Sequence, residues 1–534
     1  MALAALKFLR KPTLHLPPTP FQCVRKFVPK SVAAVEAESL TNEQCSASVR
    51  EQVHEKNKKA PAWKRLKFSE LGISKSMIGS TTKKVLNGLK KNGYDVYLVG
   101  GCVRDLILKQ TPKDFDIITS AELKEVMRIF SWCEIVDKCF PVCHVHMDGT
   151  VVEVSSFDTT KCKVGLEFSH HTEVPNDCDQ KDHLRWMNCL NRDFTINGLM
   201  LDPYARIVYD YFGGIEDTRK AKVRTVISPK TSFQEDCARI LRAIRFSACL
   251  GFSISKETAR FIKDLSSSVL SLDKGRLLME MSYMLAYGSG EASLRLLWKF
   301  GLLDILLPFQ AAYFSHHGFQ RRDRRTNILL SLFSNLDKLL EPNRPCHNSL
   351  WVGILALHKT LSDRPRDPLV VAAFSLAVHN GGNLLEAVNI AGMINKPRDV
   401  RFPELLDPSG LDAEALEAEI LDLAESVRGT MLQMTNEYFV SQAMADYPQA
   451  PHSNLVFIPL ALYLNTYTIF DCVRVSANKK FLSKKGRKID YESLAQGRPH
   501  EIRHVFARIV FDTVYPHPLH ENQSLRSNCI SEGG

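Results

Sequence analysis

The stretch that decides the fold is YDVYLVGGCVRDLILKQTPKDFDIIT, residues 94–119. It begins with an apolar, β-favouring run that ends at Gly100-Gly101, which predicts a strand followed by a tight turn. Apolar residues with helical spacing follow from Val103 to Leu108. The turn residues Thr111-Pro112-Lys113 then precede a second apolar run that starts at Asp114. The stretch therefore predicts the order strand, glycine turn, helix, turn and strand.

The second predicted strand carries two carboxylates, Asp114 and Asp116. Side chains alternate between faces along a strand, so both are predicted to project to one side while Phe115 and Ile117 enter the core. Two carboxylates this close repel each other unless a divalent cation lies between them. Mg²⁺ prefers such oxygen ligands and shares them with substrate phosphates. The pair is therefore a candidate two-metal site.

Gly100 and Gly101 lie where the first strand gives way to the helix. Because glycine has no β-carbon, backbone N–H groups can approach an anion there, and the helix N-terminus adds a partial positive charge. Each feature alone is weak evidence for a catalytic site, since most Asp-x-Asp pairs are solvated turn residues. A phosphate cradle close to a carboxylate pair, however, indicates nucleotidyl transfer.

The whole chain is long enough for several domains. It has 534 residues, of which 45% are hydrophobic, and its formal net charge of +10 fits a polyanionic partner. Its 14 cysteines are scattered without paired spacing, which predicts reduced thiols inside a cell. The best candidate for a membrane span, residues 455–470, is interrupted by Pro459 and Asn465, so we expect a buried helix and no membrane span.

The first 35 residues contain lysine and arginine but no acidic residue before Glu36. Such a leader is typical of an organellar transit peptide. Its composition does not distinguish a mitochondrion from a plastid, and a plain disordered tail is the alternative. Residues 36–67 are polar and charged, which predicts a linker, so residues 1–70 are assigned to transit peptide and linker.

The sequence GGCVRD at 100–105, followed by DFD at 114–116, resembles the head motif of the class II tRNA nucleotidyltransferase and bacterial-type poly(A) polymerase family. Similar motifs of that family recur in order up to about Leu285. The resemblance implies an α+β protein with an N-terminal α/β nucleotidyltransferase palm domain followed by all-helical neck, body and tail domains. The implied bounds are palm 80–228, neck 229–290, body 291–475 and a basic tail 476–534. It also implies nucleotide binding by Gly100, Gly101, Arg104 and Asp105.

A second motif, NRDFTING at 191–198, is similar to the ribose-reading motif of the same family. The resemblance implies nucleotide contacts for Arg192, which is a bidentate anion donor, and for Asn197. It also implies that Asp193 accepts a hydrogen bond from the ribose 2′-OH, which would select ATP over dATP. The plain alternative is that Asp193 and Asn197 only cap local structure.

Two further strands are predicted, from about Pro141 to Met147 and from Val151 to Phe157, and they are joined by the hairpin turn Asp148-Gly149. Glu153 is predicted to face away from its apolar neighbours in the second of these strands. The family presents a strand acid near this point, so Glu153 is a candidate third metal ligand. An exposed hairpin glutamate is the alternative.

A helix is predicted from Ser232 to Phe246, with Glu235, Arg239 and Arg242 on one face. Ser232 and Glu235 have the spacing of a capping box, and Glu235 and Arg239 that of an i,i+4 ion pair. In the family, the Glu-Asp-x-x-Arg motif contacts the base of the incoming nucleotide. The resemblance thus implies base-side roles for Glu235, Asp236 and Arg239. Arginines near a triphosphate are what a nucleotide pocket requires, so two more are candidate phosphate or primer contacts, Arg242 and Arg245.

One segment bears on the choice between poly(A) addition and CCA addition, the two reactions found in the family. Residues 135–145 resemble the stretch that marks bacterial poly(A) polymerases, through Lys138 and His144 among others, but they depart from it at Cys139. Two more departures are Asp158 and Asn191, which stand where the family usually has arginine.

These observations predict a template-independent RNA nucleotidyltransferase that adds AMP from ATP to RNA 3′ ends, with Mg²⁺ at Asp114 and Asp116. The alternative within the family is a CCA-adding tRNA nucleotidyltransferase, which also uses CTP. A third hypothesis is a catalytically weak RNA-binding protein on the same scaffold, for which the departures at Cys139, Asp158 and Asn191 argue. The sequence does not identify the RNA, mRNA-like or tRNA, or any protein partner.

Overall fold

The computed structural model describes residues 63–136, 141–157, 178–341, 343–445, 458–474, 484, 486 and 488–516. An eight-stranded mixed sheet forms the first part of these residues, and helices form almost all of the rest. The predicted α+β class with a helical carboxyl-terminal region is therefore confirmed. Within the ranges described, no helix is long and apolar enough to cross a lipid bilayer.

The strands are β1 Lys64–Lys67, β2 Val96–Val99, β3 Asp116–Thr119, β4 Cys133–Val136, β5 Val142–Met147, β6 Thr150–Ser156, β7 Leu199–Asp202, β8 Ile207–Asp210, β9 Lys222–Val223 and β10 Ser253–Ile254. The helices interleaved with the large sheet are α1 Phe68–Leu71, α2 Ser80–Lys91, α3 Gly101–Ile107, α4 Leu123–Ile129, α5 Gln180–Leu190 and α6 Gly214–Arg219.

The helices that follow the large sheet are α7 Pro229–Glu235, α8 Ala238–Leu250, α9 Lys256–Asp264, α10 Lys274–Leu285, α11 Gly290–Phe300, α12 Leu303–Leu306, α13 Pro308–His316, α14 Ile328–Leu339, α15 Asn348–Asp363, α16 Pro368–His379, α17 Leu384–Gly392, α18 Ala413–Thr435, α19 Glu437–Ala445, α20 Leu460–Phe470, α21 Tyr491–Ala495 and α22 Pro499–Val514. Three short 3₁₀ helices are Lys75–Met77, Thr195–Asn197 and Ser266–Ser271.

The strands of the large sheet lie in the order β1-β8-β7-β2-β3-β6-β5-β4. Among them β3 and β6 run parallel, and the other neighbours are antiparallel. Asp148 and Gly149 join β5 to β6 with φ angles of 51° and 72°. Two consecutive positive φ angles are typical of a type I′ hairpin, so the predicted two-residue turn is confirmed.

The central strands are buried on both faces of the sheet. In β2, Val96 and Leu98 belong to one apolar cluster, and Tyr97 and Val99 belong to another on the opposite face. Side chains alternate along a strand, so a strand covered on both sides reads as a continuous apolar run. A third cluster fills the helical part of the chain and contains the fully buried Trp351. The sheet is thus a rigid platform whose strand ends carry the polar residues.

The close contact of Gly214 with the 3₁₀ helix at 195–197 gives a stability prediction. A β-carbon on Gly214 would lie 2.1 Å from the backbone oxygen of Thr195, whereas one on Gly429 of α18 meets nothing within 4 Å. Gly214→Ala should lower the free energy of unfolding by about 1–3 kcal/mol, because backbone must move to make room. Gly429→Ala should raise it by up to about 1 kcal/mol, because alanine favours a helix interior.

Urea denaturation followed by circular dichroism would measure both variants. Equal or lower stability of Gly429→Ala together with an unchanged Gly214→Ala would contradict the packing described for α6.

Candidate active site

The sheet brings three carboxylates together near the start of β3. Asp116 is the first residue of β3 and lies in register with Glu153 of the parallel strand β6. The Nε2 atom of His144 lies 3.6 Å from Glu153 Oε1. Asp114 precedes the strand and is exposed, so the expectation of a strand from Asp114 is wrong by two residues. The reason is that β2 ends at Val99, which pairs with Asp116 and leaves earlier residues without a ladder partner.

The protein itself does not satisfy the charge of Asp116. Its Oδ1 atom is buried and accepts no hydrogen bond from the described residues. Burial raises the pKa of this carboxyl group, and the negative charges of Glu153 and Asp114 act in the same direction, against the opposing charge of Arg192. A hard divalent cation relieves both the burial and the repulsion, so these oxygen donors fit Mg²⁺.

The candidate metal ligands do not form a closed set of side-chain donors. No group of three or more His, Cys, Asp or Glu side chains in the described ranges is arranged to hold a metal ion. The role of Asp114 and Asp116 as metal ligands therefore stays a prediction. The role of Glu153 as a third ligand stays a prediction.

The turn between β2 and α3 depends on Gly100. Its φ angle is 81°, which favours glycine, and a β-carbon there would lie 2.8 Å from Arg192 Nη1 and 3.5 Å from Asp116 Oδ2. The guanidinium of Arg192 therefore lies against the turn and beside Asp116, and its Nε donates to Asn188 Oδ1 at 3.4 Å. Gly101 begins α3 and is buried. Arg192, a candidate anion-binding residue, and Asp116, a candidate metal ligand, thus both lie next to Gly100.

A buried chain of hydrogen bonds connects five of the predicted nucleotide-binding residues. Arg104 donates to Asp105 Oδ1 at 2.9 Å and to Asn197 Oδ1 at 2.7 Å. Asn197 donates to Asp193 Oδ1 at 3.1 Å. Arg242 of α8 donates to Asp193 Oδ2 through Nε at 2.8 Å and Nη2 at 2.5 Å. The structure therefore links the glycine turn, the 191–198 motif and the first long helix after the sheet.

Asp193 is held by more donors than the sequence suggests. Its Oδ1 accepts from Asn197 and from the backbone N–H of Phe194, and its Oδ2 accepts twice from Arg242. A carboxylate has about four lone-pair positions, so all of them are engaged. Burial alone raises the pKa of this group, but Arg242, Asn197 and the backbone N–H outweigh it and the pKa is lowered. Asp193 is thus a charged positioning residue, and its expected ribose contact stays a prediction.

The prediction of one helix from Ser232 to Phe246 is wrong, because the structure has two helices in this region, α7 and α8. The first, α7, ends at Glu235, and Asp236 is extended with φ −149° and ψ 99°. The side chain of Asp236 accepts from the backbone N–H of Ala238 at 3.0 Å, a local bond that competes with helical hydrogen bonding. The capping box predicted at Ser232 is also wrong, since Ser228 caps α7.

Arg239 bridges the break and reaches the 191–198 motif. Its Nη1 donates to Glu235 Oε2 and to Ser232 Oγ, both at 3.0 Å, so the predicted Glu235–Arg239 ion pair is confirmed. Its Nη2 donates to the carbonyl oxygen of Asn191 at 3.4 Å. The base-side residues implied by the resemblance therefore lie next to Arg192.

Arg245 is buried one turn further along α8. Its Nε lies 3.1 Å from Oε2 of Glu280, which belongs to α10 and is fully buried. Glu280 was missed as a residue near the site, and so was Asn188. The order Arg276-x-x-x-Glu280 was the available sequence signal, since i,i+4 pairs share a helix face.

Several predictions fall outside the described residues. These include Lys138 and Cys139 in the segment 137–140, and Asp158. Residues 1–62 and 517–534 and most of the basic segment 475–487 are also outside the described ranges.

Two family models match the chain. Residues 96–224 match the poly A polymerase head domain, and residues 251–314 match the probable RNA and SrmB-binding site of polymerase A. The first match contains the glycine turn, the carboxylates and the 191–198 motif. This part of the chain therefore has the fold and the motifs of a poly A polymerase head domain, and the resemblance is confirmed over these residues.

The similar curated proteins are of two kinds. Poly(A) polymerase I of Haemophilus influenzae is 31% identical over 263 residues, which are 47% of this chain and 56% of that protein. Poly(A) polymerase I of Escherichia coli O6:H1 is 33% identical over 296 residues, 53% of this chain and 59% of that protein. The CCA-adding enzyme of Oceanobacillus iheyensis is 37% identical over 201 residues, 37% of this chain and 48% of that protein. The chain spans about half the length of these relatives.

Among solved structures, the Bacillus stearothermophilus CCA-adding enzyme in complex with CTP is 24% identical and aligns with 74% of this chain and 92% of its own, with a TM-score of 0.40.

The Asp193–Arg242 pair gives a stability prediction. Asp193→Asn should lower the free energy of unfolding by about 1–3 kcal/mol at neutral pH, because it removes the hydrogen-bonded counter-charge of the partly buried Arg242 guanidinium. The pKa of Asp193 is lowered in the folded state, so the pair stabilises above the unfolded-state pKa and loses its effect as acid protonates Asp193. The difference from the wild type should therefore shrink below about pH 4.

Urea titrations at several pH values would test this. Glu216→Gln is the control, because Glu216 forms an exposed i,i+4 pair with Lys220 and its loss should leave stability nearly unchanged. Equal effects of the two substitutions at neutral pH would show that the buried pair has no special role.

Proposed function

We propose that this protein is a template-independent RNA nucleotidyltransferase that transfers AMP from ATP to RNA 3′ ends. The observation that carries the proposal is the meeting of Asp116, Gly100 and Arg192, where a carboxylate with an unpartnered oxygen lies beside a guanidinium at a glycine turn. The head-domain match supports it. The match to Escherichia coli poly(A) polymerase I extends over 296 residues, against 201 for the Oceanobacillus CCA-adding enzyme, which favours AMP transfer.

The proposed reaction is a displacement at the α-phosphorus of ATP. The RNA 3′ oxygen forms a bond to that phosphorus, the bond to the pyrophosphate breaks, and the hydroxyl proton passes to solvent. Asp114 and Asp116 would hold Mg²⁺, which supplies charge stabilisation to the transferring group when bound. Arg192 binds phosphate oxygens through its planar pair of donors.

The remaining polar residues position these groups. Asp193 fixes Arg242 and Asn197, and Asn197 in turn fixes Arg104 behind the glycine turn. Arg239 connects α8 to the carbonyl of Asn191, beside Arg192. Because each donor already has a partner, the site is preorganised and loses little side-chain entropy when the nucleotide binds.

CCA addition to tRNA is the second candidate. The 37% identity to a CCA-adding enzyme over the head region favours it. It differs from the first candidate in using CTP and in stopping after a fixed number of additions. A catalytically weak RNA-binding protein is the third candidate and predicts no extension at all.

The deciding experiment extends two labelled substrates with each NTP separately, and with CTP and ATP together, in the presence of Mg²⁺. The substrates are a single-stranded RNA and a tRNA that lacks its 3′ end. Long tails with ATP alone are the expected result. Addition of C and then A to the tRNA, with no tail on the single-stranded RNA, would transfer the assignment to CCA addition. Tight RNA binding without extension by any nucleotide would overturn both enzymatic proposals.

Carboxylate-to-amide variants test the catalytic assignment. Asp114→Asn and Asp116→Asn should each reduce turnover by about 100-fold or more, because the loss of a metal ligand removes several kcal/mol of transition-state stabilisation. Mn²⁺ binding, measured by electron paramagnetic resonance, should weaken in the same variants.

Asp148→Asn is the matched control, since it makes the same chemical change at the exposed hairpin of the same domain, and asparagine tolerates its φ of 51°. Wild-type turnover in Asp116→Asn would refute the carboxylate assignment.

Import into a mitochondrion or plastid is a further part of the proposal, and the acid-poor, basic residues 1–35 support it. A fluorescent fusion of residues 1–70 should enter one of these organelles. Replacing Lys7, Arg10 and Lys11 by glutamine should leave it in the cytosol, and a wild-type fusion that stays in the cytosol would exclude a targeting role.

A further inference from the structure

One face of α10 carries polar and aromatic side chains. Arg276, Glu280 and Tyr283 lie four and three residues apart, and Tyr287 follows four residues later, just beyond the helix end. This spacing places all four on one side. The other side is buried in the helical core through Leu277, Met281 and Met284. Of the four, Glu280 is fully buried and Tyr287 also packs against the edge of that core, whereas Arg276 and Tyr283 are partly exposed.

The two tyrosines form a pair of half-buried rings. Their ring centroids lie 5.4 Å apart, and their planes make an angle of 43°. The guanidinium of Arg245 lies 4.7 Å from the centre of the Tyr283 ring, and the Nζ of Lys113 lies 4.8 Å from that of the Tyr287 ring. Each ring thus has a cation at its face, which is the combination that binds nucleobases and phosphates of single strands.

This pair lies beside the candidate metal loop of the head domain. Lys113, which contacts Tyr287, is the residue before Asp114. Burial is the main cause that raises the pKa of both tyrosine hydroxyls, and the charge of Asp114 acts in the same direction on both. A group bound at the rings is therefore close to the reacting centre.

A cluster of three charged side chains, Arg245, Arg276 and Glu280, lies next to the rings. Glu280 is fully buried between two guanidinium groups, with Arg245 at 3.1 Å and Arg276 at 3.5 Å. One carboxylate thus compensates two arginines, and one positive charge is left over. Both contacts are ion pairs, and neither oxygen of Glu280 accepts a hydrogen bond of good geometry from the described residues. A phosphate next to the rings would meet this excess charge.

We propose that Tyr283 and Tyr287 form the stacking platform for the 3′-terminal base of the RNA that is extended, with Arg276 and Lys113 beside its phosphate. The inference rests on the proposed function, since it assigns the primer side of the same site. A platform of this kind suits a substrate whose sequence varies, because every base has a flat face.

The position of the rings favours the RNA over the incoming nucleotide. Arg192, which suits the phosphates of the incoming nucleotide, lies beside Asp116 at the glycine turn. The rings lie on the Asp114 side, next to Lys113. An in-line displacement needs the attacking hydroxyl opposite the leaving pyrophosphate, so the two substrates enter from different sides.

The test uses the full chain and a single-stranded RNA with 5-iodouridine at its 3′ end, which on irradiation forms a covalent bond to an aromatic ring stacked on it. No nucleotide is added, so binding is measured without extension. We expect a crosslink to Tyr283 or Tyr287, identified by mass spectrometry. Moving the iodouridine to an internal position should abolish crosslinking at these residues.

Two substitutions at each tyrosine separate stacking from packing. Leucine keeps an apolar side chain of moderate size and phenylalanine keeps the ring. Tyr283→Leu and Tyr287→Leu should each weaken RNA binding by about 5- to 100-fold and raise the KM for RNA, while the KM for ATP stays unchanged. The phenylalanine variants should behave as the wild type. Tyr438→Leu is the control, because Tyr438 is an exposed tyrosine on the separate helix α19.

The outcomes distinguish this inference from the proposed function. Extension by the wild type, with leucine variants that bind RNA as tightly as the wild type, would overturn the platform alone. A leucine effect on the KM for ATP and none on RNA binding would also overturn it, since the rings would then receive the nucleotide. Ring-dependent crosslinking in a protein that extends no RNA would support the platform and overturn the proposed activity.

Discussion

The buried ion pair between Asp193 and Arg242 joins the sheet-bearing head to the first long helix of the helical part. Removing two charges from water is costly, and only full hydrogen bonding and close contact offset that cost. Here four donors surround the carboxylate, and one of them, Asn197, passes the constraint on to Arg104. Such a pair adds less to the free energy of unfolding than apolar packing would. Its hydrogen bonds, however, form in only one relative orientation of the two side chains. The orientation of α8 against the glycine turn follows from it.

Asp116, unlike Asp193, has a buried carboxylate oxygen without a hydrogen-bond partner among the described residues. It lies at the end of a buried strand, next to another acid on the parallel strand, and one of its oxygens has no partner among the described residues. The protein accepts this destabilisation because the surrounding sheet fixes the position of Asp116 through strands covered on both faces. A rigidly held carboxylate oxygen without a partner is what the proposed cation would require. Rigid strands and one fully satisfied ion pair thus support one unsatisfied carboxylate.

The helical part contributes to the site through two helices. Arg242 and Arg239 reach from α8 to the head, and Arg245 of the same helix turns to Glu280 of α10. The apolar sides of both helices enter one continuous core, so neither can move without disturbing it. The head and the helical part therefore meet through charged groups on one side of a well-packed layer.

The sequence by itself determined the order strand, glycine turn, helix and strand, because apolar periodicity and turn residues act over a few residues. It also determined the hairpin at Asp148-Gly149 and the Glu235–Arg239 pair, since both depend on local spacing. Tertiary structure decided the rest. Only strand pairing set the start of β3 at Asp116, and only folding brought the buried Glu280 to Arg245. Local patterns fix periodicity, whereas the partners of charged side chains depend on contacts between residues far apart in the chain.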